Sequence, residues 1–177
     1  MYKFAAACST ESIVFGASRP GYTDVQIQSW ISFMKGKGIQ RVCCLLDKDQ
    51  LVRYPDLLGY YKQAFGIKNV CWAAIADFEI CDRTTLQHTI LPFLLASDQC
   101  QRKTVVHCSG GIGRTGQILT AWLVVGRGLS QQAAVQAVRQ MGRNPYEAVI
   151  AAPLRGKNPL RVLTELNNLL DACQQDE

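Results

Sequence analysis

Residues 107–116 read His107-Cys108-Ser109-Gly110-Gly111-Ile112-Gly113-Arg114-Thr115-Gly116. A short apolar run, Thr104 to His107, leads into them and reads as a buried strand. A helix is expected to follow, from about Arg114 to Val125. A glycine-rich turn between a strand and a helix gathers backbone N–H groups around an anion, and the helix dipole adds to them. Three chemistries use such a turn. Gly111, Gly113 and Gly116 fit the dinucleotide pattern G-x-G-x-x-G, but that site needs an acid roughly 20 residues on to hold the ribose. No Asp or Glu occurs from Gln99 to Tyr146. A Walker loop fails as well, because no Lys precedes the Thr.

The third chemistry takes Cys108 and Arg114 together. They enclose five residues, four of them Ser or Gly. So short a loop can point its amides inward, and Arg114 adds a planar fork that pairs two phosphate oxygens. The cradle suits a tetrahedral dianion and favours the thiolate of Cys108, a nucleophile in line with bound phosphorus.

Working outward, Tyr2 to Phe15 holds two short strands broken near Ser9-Thr10, and Pro20-Gly21 marks a turn. Thr23 caps a helix carrying Val25, Ile27, Trp30, Ile31 and Met34, stopped at Gly36 or Gly38. Ile39–Leu46 is an apolar strand, Pro55 opens a helix ending at Gly66, and Val70–Ala76 is another strand. Thr84 to Leu95 reads as helix despite Pro92. Ser130 caps a helix with Ala134, Val135, Val138 and Met141 inward. Asn158-Pro159 starts the last one, with Leu160, Leu163, Leu166 and Leu170 on one stripe. Strands alternating with helices imply an α/β fold. Residues 1–177 form a single domain with a mainly parallel central sheet, helices on both faces, and the phosphate-binding loop between a strand and a helix.

Composition narrows the setting. The chain has 177 residues, 48% hydrophobic and 19% charged, which excludes a disordered or collagen-like chain. No stretch approaches the ~20 apolar residues of a membrane span, and the N-terminal apolar stretch is shorter than the ~7–15-residue core of a signal peptide. Eight cysteines at irregular spacing, with no CxxC pair and two histidines, form neither a zinc site nor a disulfide framework. Free thiols point to a reducing, cytoplasmic setting. Charge is uneven: residues 101–163 carry nine bases against Glu147 alone, whereas the last fourteen residues carry four acids and no base. The net charge of +5 is too small to imply nucleic acid, so no nucleic-acid partner is expected. The basic block favours an acidic partner or acidic residues flanking the target.

HCSGGIGRTG resembles the signature of the cysteine-dependent protein tyrosine and dual-specificity phosphatases, and the chain is similar to the compact single-domain members over about residues 2–170. The resemblance implies a hydrolase that needs no metal and no cofactor. It makes Cys108 the nucleophile that forms a phosphocysteine and Arg114 the phosphate ligand. The amides of Ser109, Gly110, Gly111, Ile112, Gly113 and Arg114 are the cradle, and Thr115 is the hydroxyl that bonds the thiol. His107 orients the loop. The general acid belongs on a separate loop, with Asp77 preferred over Asp82 and Glu79, although Ala76 stands where the family often has Pro. Arg139 and Asn144 resemble the pair that braces the loop. The glutamine motif of the large tyrosine-specific enzymes is missing from residues 143–147.

Phosphotyrosyl protein is the expected substrate, with phosphoserine and phosphothreonine next. Phe78, Trp72, Tyr22 and Tyr146 are the aromatic candidates for the cleft wall. The rivals are a phosphatase for a phosphoinositide, nucleotide, sugar phosphate or RNA 5′-phosphate, an arsenate reductase or sulfur transferase, and a phosphate-binding module without catalysis. The loop interior has no Lys, which lipid-specific members often carry. Cys43 and Cys44, adjacent in a strand, face opposite sides and belong to the core. Cys8, Cys71 and Cys81 are candidate redox partners of Cys108.

Overall fold

A computed structural model describes residues 2–173. The elements run β1 (Ala5–Ala6), β2 (Val14–Ser18), α1 (Asp24–Gly36), β3 (Arg41–Cys44), α2 (Lys48–Leu51), α3 (Leu57–Phe65), β4 (Val70–Trp72), α4 (Arg83–Thr85), α5 (Leu91–Gln99), β5 (Thr104–Cys108), α6 (Gly113–Arg127), α7 (Gln131–Gln140), α8 (Glu147–Ala151) and α9 (Pro159–Ala172). The strands form one sheet in the order β1-β2-β5-β3-β4. β1 is antiparallel to β2, and every other pairing is parallel. The expected α/β architecture is therefore present.

β5 lies between β2 and β3, so the chain after β5 emerges with a parallel neighbour on each side. Open α/β sheets bind ligands beyond the carboxyl ends of such central strands. Alternation of side chains then divides the core. Val42, Cys44 and Val105 pack with Trp30 and Met34 of α1 and Tyr61 of α3. Cys43, Val106 and Cys108 pack on the other face with α5, α6, α7 and α9. The two adjacent thiols of β3 thus enter different cores, as strand geometry requires.

Local chemistry accounts for most boundaries. The Thr23 side chain accepts from Gln26 N–H while Gln26 reaches back, a reciprocal cap that starts α1. Ser130 and Asn158 cap α7 and α9 as expected. The structure corrects several details. Asp56, not Pro55, caps α3 by accepting from Gly59 N–H. The strand after it ends at Trp72 instead of Ala76. The Thr84–Leu95 segment is not one regular helix: Asp82 caps α4, a π-helical turn follows at Leu86–Ile90, and α5 begins just before Pro92. Proline cannot donate to the i−4 carbonyl, and the widened turn accommodates it. In α9 the buried stripe is Val162, Leu166, Leu169 and Leu170, and Leu160 is 71% exposed. Met141 is only half-buried. Neither α2 nor α8 stands out in the periodicity, being too short to show a period.

Candidate active site

Cys108 ends β5, and α6 begins at Gly113, so the whole loop is four residues, Ser109 to Ile112. The turn is tight because two glycines permit it. Gly111 has φ +69, and a Cβ there would lie 2.5 Å from the Ala17 carbonyl oxygen. On β2, a Cβ at Gly16 would lie 2.8 Å from Thr115 Cγ2, so this glycine lets α6 press against the sheet beneath the loop. The N–H groups of Ser109, Gly110, Gly111 and Ile112 have no protein acceptor among the described residues. Cys108 is buried, 2% exposed, and its Sγ lies 3.1 Å from Thr115 Oγ1, whose O–H donates to it.

Arg114 is 3% exposed. Its Nη1 donates to the Ile75 carbonyl at 2.7 Å and to Gln50 Oε1 at 2.8 Å, and its Nη2 donates to Asp77 Oδ1 at 2.7 Å. The arginine that closes the loop therefore also holds the carboxylate of the neighbouring loop. Asp77 reaches it from a loop, five residues beyond the end of β4. That loop continues alongside β3, with Ala73 N–H on the Cys44 carbonyl at 3.0 Å and Ile75 N–H on the Leu45 carbonyl at 3.2 Å. It then turns back through Phe78, at φ +58.

The competing acids are engaged elsewhere. Asp82 accepts from Thr85 N–H as the cap of α4, and those bonds to Thr85 hold its pKa below the ordinary value. Glu79 pairs with Lys157 at 2.5 Å and Arg155 at 3.5 Å. His107 points into the opposite core, edge-on to Trp30 and Tyr61. Burial pushes its pKa from 6.5 to about 3, so the ring is neutral.

The bracing residue differs from the expected pair. Arg139 is exposed on α7. Arg143 does the bracing: its Nη1 donates to the Gly111 carbonyl, and its Nη2 donates to Gly16 at 2.7 Å and Lys3 at 2.6 Å. One buried guanidinium thus ties the loop to β2 and to the N-terminal segment. Asn144 stands beside it, with its N–H 3.4 Å from the Ile112 carbonyl and its Oδ1 accepting from Tyr146 N–H. Arg19 is a further cation that spacing does not reveal. Its N–H donates to the Ser109 carbonyl at 3.2 Å, and its guanidinium lies 3.9 Å from the centre of the Tyr22 ring.

Of the other aromatic candidates, Trp72 donates to the Leu46 carbonyl and Phe78 lies exposed beside Arg155. Tyr146 packs against the α6-side core. The eight cysteines are free. The Cys8 thiol lies 3.4 Å from Thr10 Oγ1, the Cys81 thiol meets the Asp82 carbonyl, and Cys71 stands opposite Cys43 in the β3–β4 register. These contacts engage the candidate redox partners with groups other than Cys108.

The sheet order and the Cys-loop-Arg turn define a cysteine-dependent phosphatase fold of the protein tyrosine and dual-specificity type. The family described as "Tc-R-P: Polymorphic toxin system, DSP-PTPase phosphatase" matches residues 15–128, and the chain belongs to it. No curated protein matches the chain. Among solved structures, Tk-PTP in its active form is similar at TM-score 0.67 and 23% identity, covering 89% of this chain and 93% of that one. A kinase associated phosphatase with its catalytic-site cysteine changed to serine is similar at TM-score 0.69 and 22% identity, covering 92% and 88%. PTPMT1 in complex with PI(5)P is similar at TM-score 0.67 and 14% identity, covering 96% and 97%. At these identities the likeness concerns the fold. No helix among the described residues is long and apolar enough to cross a membrane.

Proposed function

We propose that residues 1–177 act as one phosphatase domain that hydrolyses phosphotyrosyl protein, and phosphoseryl or phosphothreonyl protein less readily, through a phosphocysteine. The observation that carries this reading is the pair of contacts made around one loop: Thr115 Oγ1 at 3.1 Å from Cys108 Sγ, and Arg114 Nη2 at 2.7 Å from Asp77 Oδ1. These contacts link the proposed nucleophile, phosphate ligand and acid through the one turn from Cys108 to Thr115.

In the first step the Cys108 thiolate forms an S–P bond as the P–O bond to the leaving group breaks. Asp77 gives its proton to the leaving oxygen. The amides from Ser109 to Arg114 and the Arg114 fork take the charge on the equatorial oxygens. Incoming phosphate competes with Asp77 for Arg114, which frees the carboxyl to turn toward the leaving group. In the second step Asp77 takes a proton from water as the water oxygen attacks phosphorus. The S–P bond breaks, and the Thr115 hydroxyl stabilises the departing thiolate. His107 serves as a neutral wall behind the loop and not as a base. The engagement of Asp82 as a cap and of Glu79 with two bases supports Asp77 as the acid.

A phosphoinositide is the second reading, favoured by the lipid complex among the structural neighbours. The absence of lysine from the loop interior supports the protein reading over it. A phenolic leaving group also suits a thiol buried at the floor of the site. Free thiols support a reducing compartment, and we place the reaction in the cytoplasm on that basis.

The test is phosphate release with EDTA and dithiothreitol present, from p-nitrophenyl phosphate, phosphotyrosyl and phosphothreonyl peptides and a phosphoinositide, with Cys108→Ser as the blank. Release from the peptides that vanishes in the variant is expected, with phosphotyrosine fastest. Release from the lipid alone would overturn the protein reading, and silence on every substrate would overturn the phosphatase mechanism.

A further inference from the structure

One cation at the mouth of the site has no part in this mechanism. Arg19 directly follows β2, whose last residue, Ser18, is in register with Cys108. Its backbone N–H donates to the Ser109 carbonyl, and its Nε lies 3.4 Å from Ser109 Oγ. Its Nη1 donates to the Pro20 carbonyl and to Tyr54 Oη, both at 3.0 Å. Tyr54 Oη in turn donates to Pro20 at 3.0 Å, and the Tyr22 and Tyr54 rings stand 4.9 Å apart. The guanidinium is thus packed on a tyrosine face and pinned at Nε and Nη1.

Its Nη2, between them, is unused. Among the described residues Nη2 has no hydrogen-bond acceptor, and no carboxylate forms an ion pair with Arg19. The contrast with Arg127, which has two carboxylates, is direct. Pinning an arginine in advance removes most of the ordering cost of binding through it. The stack on Tyr22 also restrains it, whereas a surface arginine in solvent would be free to swing. Arg53 donates to Tyr22 Oη at 3.4 Å and adds a second positive charge behind the ring. The arrangement offers an anion-binding edge joined through Ser109 to the start of the phosphate loop.

We propose that Arg19 is a specificity-determining residue whose free Nη2 edge binds a side-chain carboxylate flanking the phosphorylated residue of a substrate peptide. The proposal rests on the phosphopeptide reading given above. A flanking acid on the substrate fits Arg19 and Arg53, which form no ion pair among the described residues. Hydrogen bonds to charged groups contribute about 1.5–3 kcal/mol, so the acid is expected to tighten binding by roughly 10- to 100-fold.

The experiment measures calorimetric affinity on the Cys108→Ser protein, which binds without turning over. The probes are phosphotyrosyl peptides with Asp or Ala at each flanking position in turn, with mono- and bisphosphorylated inositol headgroups in parallel. At one position the Asp peptide is expected to bind at least tenfold tighter than its Ala counterpart. Adding Arg19→Gln brings that ratio to about one, and Arg19→Lys restores part of it. A loop merely loosened by the substitution weakens both peptides alike and leaves the ratio where it was, so an unchanged ratio overturns the proposal. Equal binding of both peptides before any change at Arg19 overturns it as well. A ratio that responds only between the two headgroups assigns the edge to a lipid phosphate and overturns the peptide proposal. Turnover by the unsubstituted enzyme separates the two readings, because failure to cleave any peptide removes the reaction while the binding ratio still decides Arg19.

Discussion

Two arginines at opposite ends of the sheet, Arg127 and Arg143, are satisfied in opposite ways. At the end where β2 begins, Arg127 donates to Glu11 at 2.9 Å and to Asp98 at 2.7 Å. Glu11, its side chain fully buried, also accepts from Trp122 Nε1 and from Ile13 N–H. At the end where β2 and β5 finish, Arg143 meets only carbonyls, and Arg19 meets a carbonyl and hydroxyls. Proton affinity differs accordingly. The Asp98 bond, reinforced by Glu11, holds Arg127 above the usual arginine range, whereas burial draws Arg143 below it. Two carboxylates cancel the charge of Arg127 and convert it into stability, whereas Arg41 at the same end meets the Phe93 carbonyl and the Ser97 hydroxyl. Carbonyls orient the upper cations without cancelling them, which leaves positive potential where an anion enters. Arg114, paired with Asp77, is the upper exception, and there the paired acid is the group assigned to proton transfer.

This division can be broken from either side. The largest effect is expected for Asp77→Asn, which keeps a hydrogen-bonding partner for Arg114 and removes the proton donor. Turnover of a phosphotyrosyl peptide should fall by about 10²- to 10⁴-fold with substrate binding retained. Single-turnover kinetics at saturating peptide would reveal it, and wild-type rates would move the acid elsewhere.

Arg143→Met should come next. It strips three carbonyls of their donor at once, and a loss of about 3 kcal/mol in urea unfolding is expected, together with impaired turnover as the Gly111 turn loosens. Stability lost with full activity would show that the loop holds its shape without the brace.

Glu11→Gln tests the other end. Removing one partner of a buried ion pair should cost about 2 kcal/mol, below the range for full truncation because amide hydrogen bonds remain. Turnover should change less than twofold. The pH dependence follows from sign. Desolvation raises the Glu11 pKa, but the bonds from Arg127, Ile13, Trp122 and Val14 outweigh it, and the folded value lies below the ordinary 4.5. The contribution is complete above that value and is lost as pH falls through the lower folded value. Glu11→Gln should therefore flatten the stability profile below pH 4.5, and a profile parallel to wild type would reassign acid unfolding to other groups.

The smallest effect belongs to Arg139→Ala, where both melting temperature and turnover should stay at wild-type values, since the residue is exposed. A marked loss would return the bracing role to it.

Residue types in order are enough to read the loop, because Cys108, Arg114 and Thr115 act within one short turn whose geometry the glycines dictate. Most of the alternating strands and helices are readable for a related reason: capping and periodicity are local. Arg143 and Arg19 are not readable. Each is tied to the loop by folding that brings together residues 32 and 90 positions apart. The only local sign for Arg143 was Gly142, whose φ of +79 turns the chain back after α7. Arg139, by contrast, matched a family spacing and proved to sit on the outer side of its helix. Of the expected α9 stripe Leu166 and Leu170 are buried and Leu160 is exposed, because leucines recur on both faces of the helix. Only tertiary contact separates the Val162–Leu166–Leu169 face from the one carrying Leu160.

The three tryptophans fall in three distinct environments. Trp30 is buried against His107 on one side of the sheet, and Trp122 is buried on the other side against Glu11. Trp72 is 39% exposed, at the end of β4 from which the Asp77 loop departs. Each layer of the protein therefore carries its own fluorophore. The emission maximum of Trp72 is set by solvent at the sheet edge, while those of the other two are shielded from it. Quenching by iodide would single out Trp72 in the folded enzyme, so its signal reports on the edge strand from which the Asp77 loop departs, separately from the two cores.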